Sequence, residues 1–328
     1  MRFAGFADVY HAWDANRPAV RDRAFTTQPA RHNEFNVNLA FVEGVLSGPR
    51  LRGRIALQAG TSVQSNYAGE PRNGSVSGPD LARHIQEAVV GMHVGGTVWV
   101  DAGIYFSHIG GESWISRDNL TYTRSLKAEY SPYYQSGAKV TWQPSPTITA
   151  QVNIVNGWQN ISETNGDKAA GARVDWAPSG RATVSLYNFI GNERPDSAAS
   201  QLRVFHGASV KLAPSERLTI VGTFDVGVQG SASWYGTALL TRWQPTAAVA
   251  LVGRIERYDD PQQVIVQTGT SDPFRASGGS IGVDVAASAR VRWRSEVRAL
   301  GATREVFPDR GGASRMNAVV VTSLAATF

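Results

Sequence analysis

Residues 289–300 read Ala289-Arg290-Val291-Arg292-Trp293-Arg294-Ser295-Glu296-Val297-Arg298-Ala299-Leu300, alternating small or apolar side chains with charged ones. Successive side chains on a β-strand point to opposite faces, so Val291, Trp293 and Val297 share one face and Arg290, Arg292, Arg294, Glu296 and Arg298 the other. Helical spacing does not produce this pattern. A soluble sandwich accounts for one such strand, so the fold turns on whether the pattern repeats and which face the charges line.

It repeats along the chain. In residues 51–64, Leu51, Gly53, Ile55, Leu57, Ala59 and Val63 alternate with Arg52, Arg54, Gln58, Ser62 and Gln64. Residues 35–42 set Phe35, Val37, Leu39 and Phe41 against Asn36, Asn38 and Ala40. Residues 147–154 set Ile148, Ala150, Val152 and Ile154 against Thr149, Gln151 and Asn153. Reading the whole chain this way gives about sixteen strands of roughly ten to fourteen residues, an even number.

The connections alternate in length. Long segments around residues 15–32, 66–83 and 107–131 are interleaved with short, turn-forming ones: Ser47-Gly48-Pro49-Arg50, Gly95-Gly96, Gln143-Pro144-Ser145-Pro146, Pro178-Ser179-Gly180, Ala213-Pro214-Ser215-Glu216, Gln244-Pro245-Thr246 and Ala287-Ser288. An up-and-down antiparallel barrel in an outer membrane has this asymmetry, with short periplasmic turns, long external loops and, for an even strand number, both termini periplasmic. A sandwich has no reason to segregate its loops. Trp142, Trp176 and Trp243 each sit beside a Pro-containing short link, as a membrane-interface girdle requires.

Composition agrees. The chain has 42% hydrophobic residues and a mean hydropathy of −0.22, and it has no apolar run long enough for a membrane helix. Half of every barrel strand faces water, so moderate hydropathy is expected of such a fold. No composition break or linker divides residues 1–328, which predicts one domain. The absence of cysteine removes disulfides, thiol catalysis and thiolate metal sites. Met1-Arg2-Phe3-Ala4-Gly5-Phe6 runs directly into strand pattern with no export signal, which reads as a mature or truncated form. The last strand ends on an aromatic residue, Phe328, with Ala318, Val320, Leu324 and Ala326 on its face, the form of a C-terminal barrel-assembly signal.

Gly5-Phe6-Ala7-Asp8-Val9-Tyr10 with Ala12-Trp13-Asp14, Arg31-His32-Asn33-Glu34-Phe35-Asn36, Phe106-Ser107-His108-Ile109-Gly110 with Glu112-Ser113-Trp114, and Asn156-Gly157-Trp158-Gln159-Asn160 resemble the OmpL-like β-barrel porins over most of the chain. The resemblance implies an outer-membrane porin of a Gram-negative bacterium. It implies little about the solute and carries over no catalytic residues.

A barrel of about sixteen strands is wide enough for an aqueous lumen. Its expected lining is Arg52, Arg54, Asp101, Lys139, Arg173, Arg254, Glu256, Arg290, Arg292, Arg294, Glu296 and Arg298. Basic groups outnumber acidic ones there, which predicts weak anion preference unless the arginines serve only to pair with wall carboxylates. Residues 107–131 form the longest connection, with Glu112, Arg117, Asp118, Arg124 and Lys127 among aromatic residues. Such a loop is expected to fold into the lumen and narrow it, the alternative being a packed external lid.

Other chemistries find little support. Ser107, His108, Glu112 and Ser113 supply residue types for a hydrolase, but sequence neighbours on a loop are not a triad, and no nucleophile elbow is present. The six histidines lack metal-ligand spacing, and Asp259, Asp260 and Asp272 read as solvated loop charge before a divalent-cation site. No cofactor is expected. Although the pI is about 9.6, the net charge of +5 is spread along the strands without a basic run, which argues against nucleic acid. The expected partners are outer-membrane lipid and lipopolysaccharide, the barrel-assembly machinery and small hydrophilic solutes. Size fits a homotrimer as well as a monomer. The functional alternative to passive diffusion is a substrate-specific or loop-plugged barrel acting in surface binding or adhesion.

Overall fold

The computed structural model describes residues 1–328. The barrel strands are β1 (Arg2–Asp14), β2 (Phe35–Ser47), β3 (Leu51–Ala59), β4 (Ile85–Gly95), β5 (Val98–Phe106), β6 (Tyr134–Ser145), β7 (Ile148–Val155) and β8 (Ala169–Ser179). They continue as β9 (Ala182–Asn192), β10 (Leu202–Ser215), β11 (Leu218–Gln229), β12 (Ala232–Trp243), β13 (Val249–Asp260), β14 (Phe274–Ala286), β15 (Val291–Ala302) and β18 (Met316–Thr327). Each pairs antiparallel with its chain neighbour, and β1 pairs with β18 to close the barrel. A small hairpin, β16 (Phe307–Asp309) and β17 (Gly312–Ser314), stands apart in the last loop. Closure satisfies every edge, which a strand assembly in hydrocarbon must do.

One rim carries the short turns and the other the long connections, here L1 (residues 15–34), L2 (60–84), L3 (107–133), L4 (156–168), L5 (193–201), L7 (261–273) and L8 (303–315). The sixth connection on that rim is only the tight turn Gly230-Ser231. At four short-turn ends the ladder shifts register: between His93 and Gly95, Trp142 and Ser145, Trp176 and Ser179, and Leu212 and Ser215. Pro144, Pro178 and Pro214 fall within three of these bulges, where a residue without an N–H does no harm to pairing. The strands therefore run on past links that sequence reads as turns.

Two strands depart from the expected alternation. Phe35 and Val37 are exposed on the outside, whereas Leu39 and Phe41 are buried inside. The ladder passes from Asp8 opposite Leu39 to Val9 opposite Val37, so Asn38 is a bulge that reverses the parity of β2. β3 stops at Ala59, five residues before the expected end, and Thr61–Asn66 form a short helix, α1, that buries Val63 inside the barrel. Gly60 makes the bend at φ 139°, with the Asn38 carbonyl in the space that a Cβ would need. Two more single-turn helices, α2 (Pro79–Ala82) and α3 (Leu126–Glu129), lie in L2 and L3.

Trp142, Trp176 and Trp243 project outward, half exposed, at the short-turn rim, and Trp293 joins them. The outward faces carry Val90, Val152, Leu186, Ile255 and Ile281, an apolar band suited to lipid. Phe328 exchanges backbone hydrogen bonds with Gly5, extending the closing ladder to the last residue.

Candidate functional site: the inner wall and the third loop

Inside the barrel, L3 is bonded to the wall along much of its length. It has almost no regular secondary structure and is nonetheless mostly buried, so its peptide groups need partners that no helix or sheet supplies. Wall side chains supply them. Arg294 donates to the carbonyls of Ser116, Asn119 and Leu120 at 2.6, 3.2 and 2.7 Å. Arg254 donates to the Thr123 carbonyl at 2.6 Å and the Thr121 hydroxyl at 2.7 Å. Glu296 accepts from the Thr123 amide and hydroxyl, and Glu256 accepts from the Leu126 amide at 2.6 Å.

These wall groups also hold each other. Arg298 meets Glu256 through two hydrogen bonds of 2.9 Å, Arg254 adds another at 2.9 Å, and Arg294 pairs with Asp284 at 2.8 Å. All of them are buried. On β1, Asp8 accepts from the Ser116 and Tyr122 hydroxyls and from Asn38. On β11, Asp225 pairs with Lys127 at 2.7 Å. On β8, Arg173 donates to the carbonyls of His108 and Gly110.

L3 is also locked to its neighbouring loops. Glu129 accepts from Thr26, Thr27 and Tyr133, and Gln28 of L1 donates to the Trp114 carbonyl at 2.8 Å. Trp114, Ile115 and Tyr133 pack with Phe6, Leu39, Phe41, Val63 and Tyr67. Toward the long-loop rim a larger cluster gathers Tyr258, Phe274, Phe205 and Phe189 from the wall with Trp158 of L4, Val266 of L7 and Phe307 of the hairpin. Phe25 of L1 packs on Phe274 and Phe307 at ring separations of 4.7 and 5.6 Å.

The residues expected to line the lumen thus divide into two groups. Arg254, Glu256, Arg294, Glu296 and Arg298 do face inward, but they lie dry beneath L3 and clamp it, so they form no water-facing wall. Their charges are spent on each other and on loop peptides. Arg290 lies in the turn before β15, at the rim. Arg292 donates to the Arg117 carbonyl and has no carboxylate partner. Arg52, Arg54, Asp101, Lys139 and Arg173 lie on β3, β5, β6 and β8, the side of the barrel where the inner wall keeps some exposure.

On that side the charges are layered. The Arg52 side chain is 35% exposed over Asp101 at 4%. Arg54 likewise covers both Glu43 and Glu87, at 2.6 and 2.5 Å. Lys139 lies 4.3 Å from the Tyr105 ring centroid and forms no ion pair. Asp175, more exposed than its partner Arg173, is the exception. Cations therefore project toward the lumen while most of the carboxylates sit behind them.

Of the loop residues singled out, Arg117 and Asp118 face two open cavities of about 240 and 220 Å³ at the short-turn end alongside Arg292, whereas Glu112 and Arg124 line a smaller one of about 120 Å³. Lys127 is buried on Asp225, and Glu112 is bonded to Ser125, the N-cap of α3. Arg124 is buried under Tyr133. Sequence offered no signal for the anchoring roles of Thr121, Thr123, Glu129 and Asp225, because their partners lie on distant segments.

The hydrolase constellation does not assemble. His108 bonds through Nδ1 to Gln135 and through Nε2 to the Asn188 carbonyl, each at 2.8 Å, with neither nitrogen on a serine. Burial pushes the His108 imidazole below its ordinary range, with Arg173 and Lys139 adding repulsion. No three His, Asp or Glu side chains converge on one point. Asp259 pairs with Arg257 and Arg275, whereas Asp260 accepts backbone amides of Val264, Ile265 and Val266.

A closed barrel of sixteen antiparallel strands, with a lipid-facing apolar band, an aromatic girdle and an inward third loop, defines the porin class of outer-membrane channels. The family model described as "Putative beta-barrel porin-2, OmpL-like" matches residues 1–328, and the chain belongs to that family. No curated protein sequence matches it. Among solved structures, the chain is similar to the anion-selective porin from Comamonas acidovorans, at 12% identity and TM-score 0.62 over 100% of this chain and 99% of that one. It is also similar to the outer-membrane channel DcaP of Acinetobacter baumannii, at 10% identity and TM-score 0.65 over 100% and 96%. A trimer form of OmpT of Vibrio cholerae aligns at 8% identity and TM-score 0.63 over 100% and 98%. At such identities the likeness is one of fold.

Proposed function

We propose that this porin passes small hydrophilic solutes by passive diffusion, with a weak preference for anions and with L3 setting the constriction. The observation that carries the reading is the layering on β3 to β8: Arg52 and Arg54 project over buried Asp101, Glu43 and Glu87, and Lys139 is unpaired. Basic side chains presented to water attract anions, and carboxylates held behind them cancel only part of that field. The wall supplies no catalytic step in this reading. Measuring reversal potential in a salt gradient, together with liposome swelling by solutes of graded size, tests it. Anion-directed reversal and size-dependent swelling support the proposal; cation preference would overturn the charge reading.

A second reading, a loop-plugged barrel serving surface binding or adhesion, is favoured by one observation. Phe25 of L1, Val266 of L7 and Phe307 of the hairpin gather over Phe274 and close apolar surface at the long-loop rim. The absence of swelling with every solute would select it. In either case the short-turn rim, with both termini, is assigned to the periplasm, and Phe328 to recognition by the barrel-assembly machinery. The Trp girdle meets lipid, basic loop residues meet lipopolysaccharide, and a homotrimer is the assembly proposed, testable by cross-linking in mild detergent.

A further inference from the structure

We propose that L3 encloses a binding site for one small monovalent anion, of chloride, nitrate or formate size, seated against the Arg124 guanidinium. Arg124 is 2% exposed, and its Nε and Nη1 have no hydrogen-bond partner. Only Nη2 is engaged, on the Ala128 carbonyl, while the Tyr133 ring covers one face of the group at 3.6 Å. No carboxylate pairs with it. A buried guanidinium without counter-charge is costly, and this one is the exception among the buried arginines of the barrel.

The space beside it is suited to an anion. Arg124 lines a cavity of about 120 Å³ with Ser107, Gly110, Glu112, Ser113 and Ser131. At about 30 Å³ per water, it holds roughly four waters or a small anion with one or two, and it is too small for a sugar acid. Its other polar lining is rich in unspent donors. The Ser107 hydroxyl accepts from the Ile109 amide and the Ser113 hydroxyl from the Ile115 amide, and neither donates to anything. The Glu112 carboxylate, on the same wall, has both oxygens committed to Ser125. Glu129 is committed to Thr26, Thr27 and Tyr133. Water would satisfy the donors and leave the charge; an anion satisfies both.

The site is part of the folded loop and independent of conduction, so a barrel that passes no ions would still bind. The test uses the whole barrel in detergent at constant ionic strength. Replacing gluconate with chloride or nitrate should raise Tm saturably, by roughly 2–4 °C, because the anion binds only the folded loop. Bromide-soaked crystals should show an anomalous peak at Arg124. Arg124→Met should abolish both effects, and Glu112→Gln, which removes the neighbouring negative charge, should lower the half-saturating chloride concentration several-fold. The glutamine variant and the bromide peak stand as readouts if Arg124→Met does not fold. Equal Tm in gluconate and chloride, with only water at Arg124, would overturn the proposal.

Discussion

Thr123 gives its backbone amide and its hydroxyl to the two oxygens of Glu296, at 2.8 and 2.6 Å, joining L3 to a strand 173 residues further along the chain. The same carboxylate lies 3.5 Å from Arg254, which itself holds Thr121 and Thr123. Removing it strands two loop donors at once and takes from Arg254 one of its two carboxylate partners, Glu256 remaining at 2.9 Å. Glu296→Ala should destabilise the barrel by about 2–5 kcal/mol and raise both conductance and current noise as L3 loosens. Glu296→Gln, which keeps an acceptor, should do less. Single-channel recording with thermal unfolding in detergent checks both.

Charge reversal should have opposite consequences at neighbouring positions. Lys139, inward and unpaired, should shift the reversal potential toward cations when changed to Glu, with little loss of folding. Arg292→Glu should act in the same direction more weakly. Arg294→Glu sets a second carboxylate against Asp284 and removes three donors from L3, so its expected effect is a lower refolded yield. A selectivity change of equal size at Arg294 and Lys139 would contradict the division between dry and water-facing arginines.

Deletion of residues 112–126 removes the segment bonded to Asp8, Arg254, Arg294 and Glu296. Single-channel conductance should rise. Unchanged conductance and selectivity would mean that the loop does not set the constriction.

The outer aromatic seal separates the two functional readings. Phe25→Ala removes the ring that bridges Phe274 and Phe307, losing aromatic contacts worth about 0.5–1.5 kcal/mol each. If the seal limits entry, liposome swelling should accelerate. An unchanged rate would show that solutes pass beside the cluster.

His108 makes L3 sensitive to acid. Its pKa is lowered in the folded protein by burial, with repulsion from Arg173 and Lys139, so the unfolded chain takes up its proton first. Stability is therefore complete above the unfolded value, about 6.5, and falls as pH drops below it. Unfolding temperature should decline below about pH 6.5, and His108→Gln should flatten that part of the profile. A profile identical to that of the parent would remove His108 as the cause.

The sequence by itself determined the barrel. Strand alternation and the inward side of Arg292, Arg294, Glu296 and Arg298 follow from a period of two, a property of the backbone expressed within a few residues, and the even strand number and the segregation of short and long connections follow from where turn-forming residues interrupt that period. Only the tertiary structure decided where that local rule breaks. The bulge at Asn38 reverses β2, and the bend at Gly60 ends β3, because both depend on the strand or loop packed alongside. It likewise decided which inward charges meet water. Arg52 and Arg294 occupy equivalent places in their patterns, yet one projects from the wall and the other is sealed beneath L3. That difference is set by a loop from the opposite side of the barrel, whose unsatisfied carbonyls find Arg254 and Arg294 only after closure has brought distant segments together.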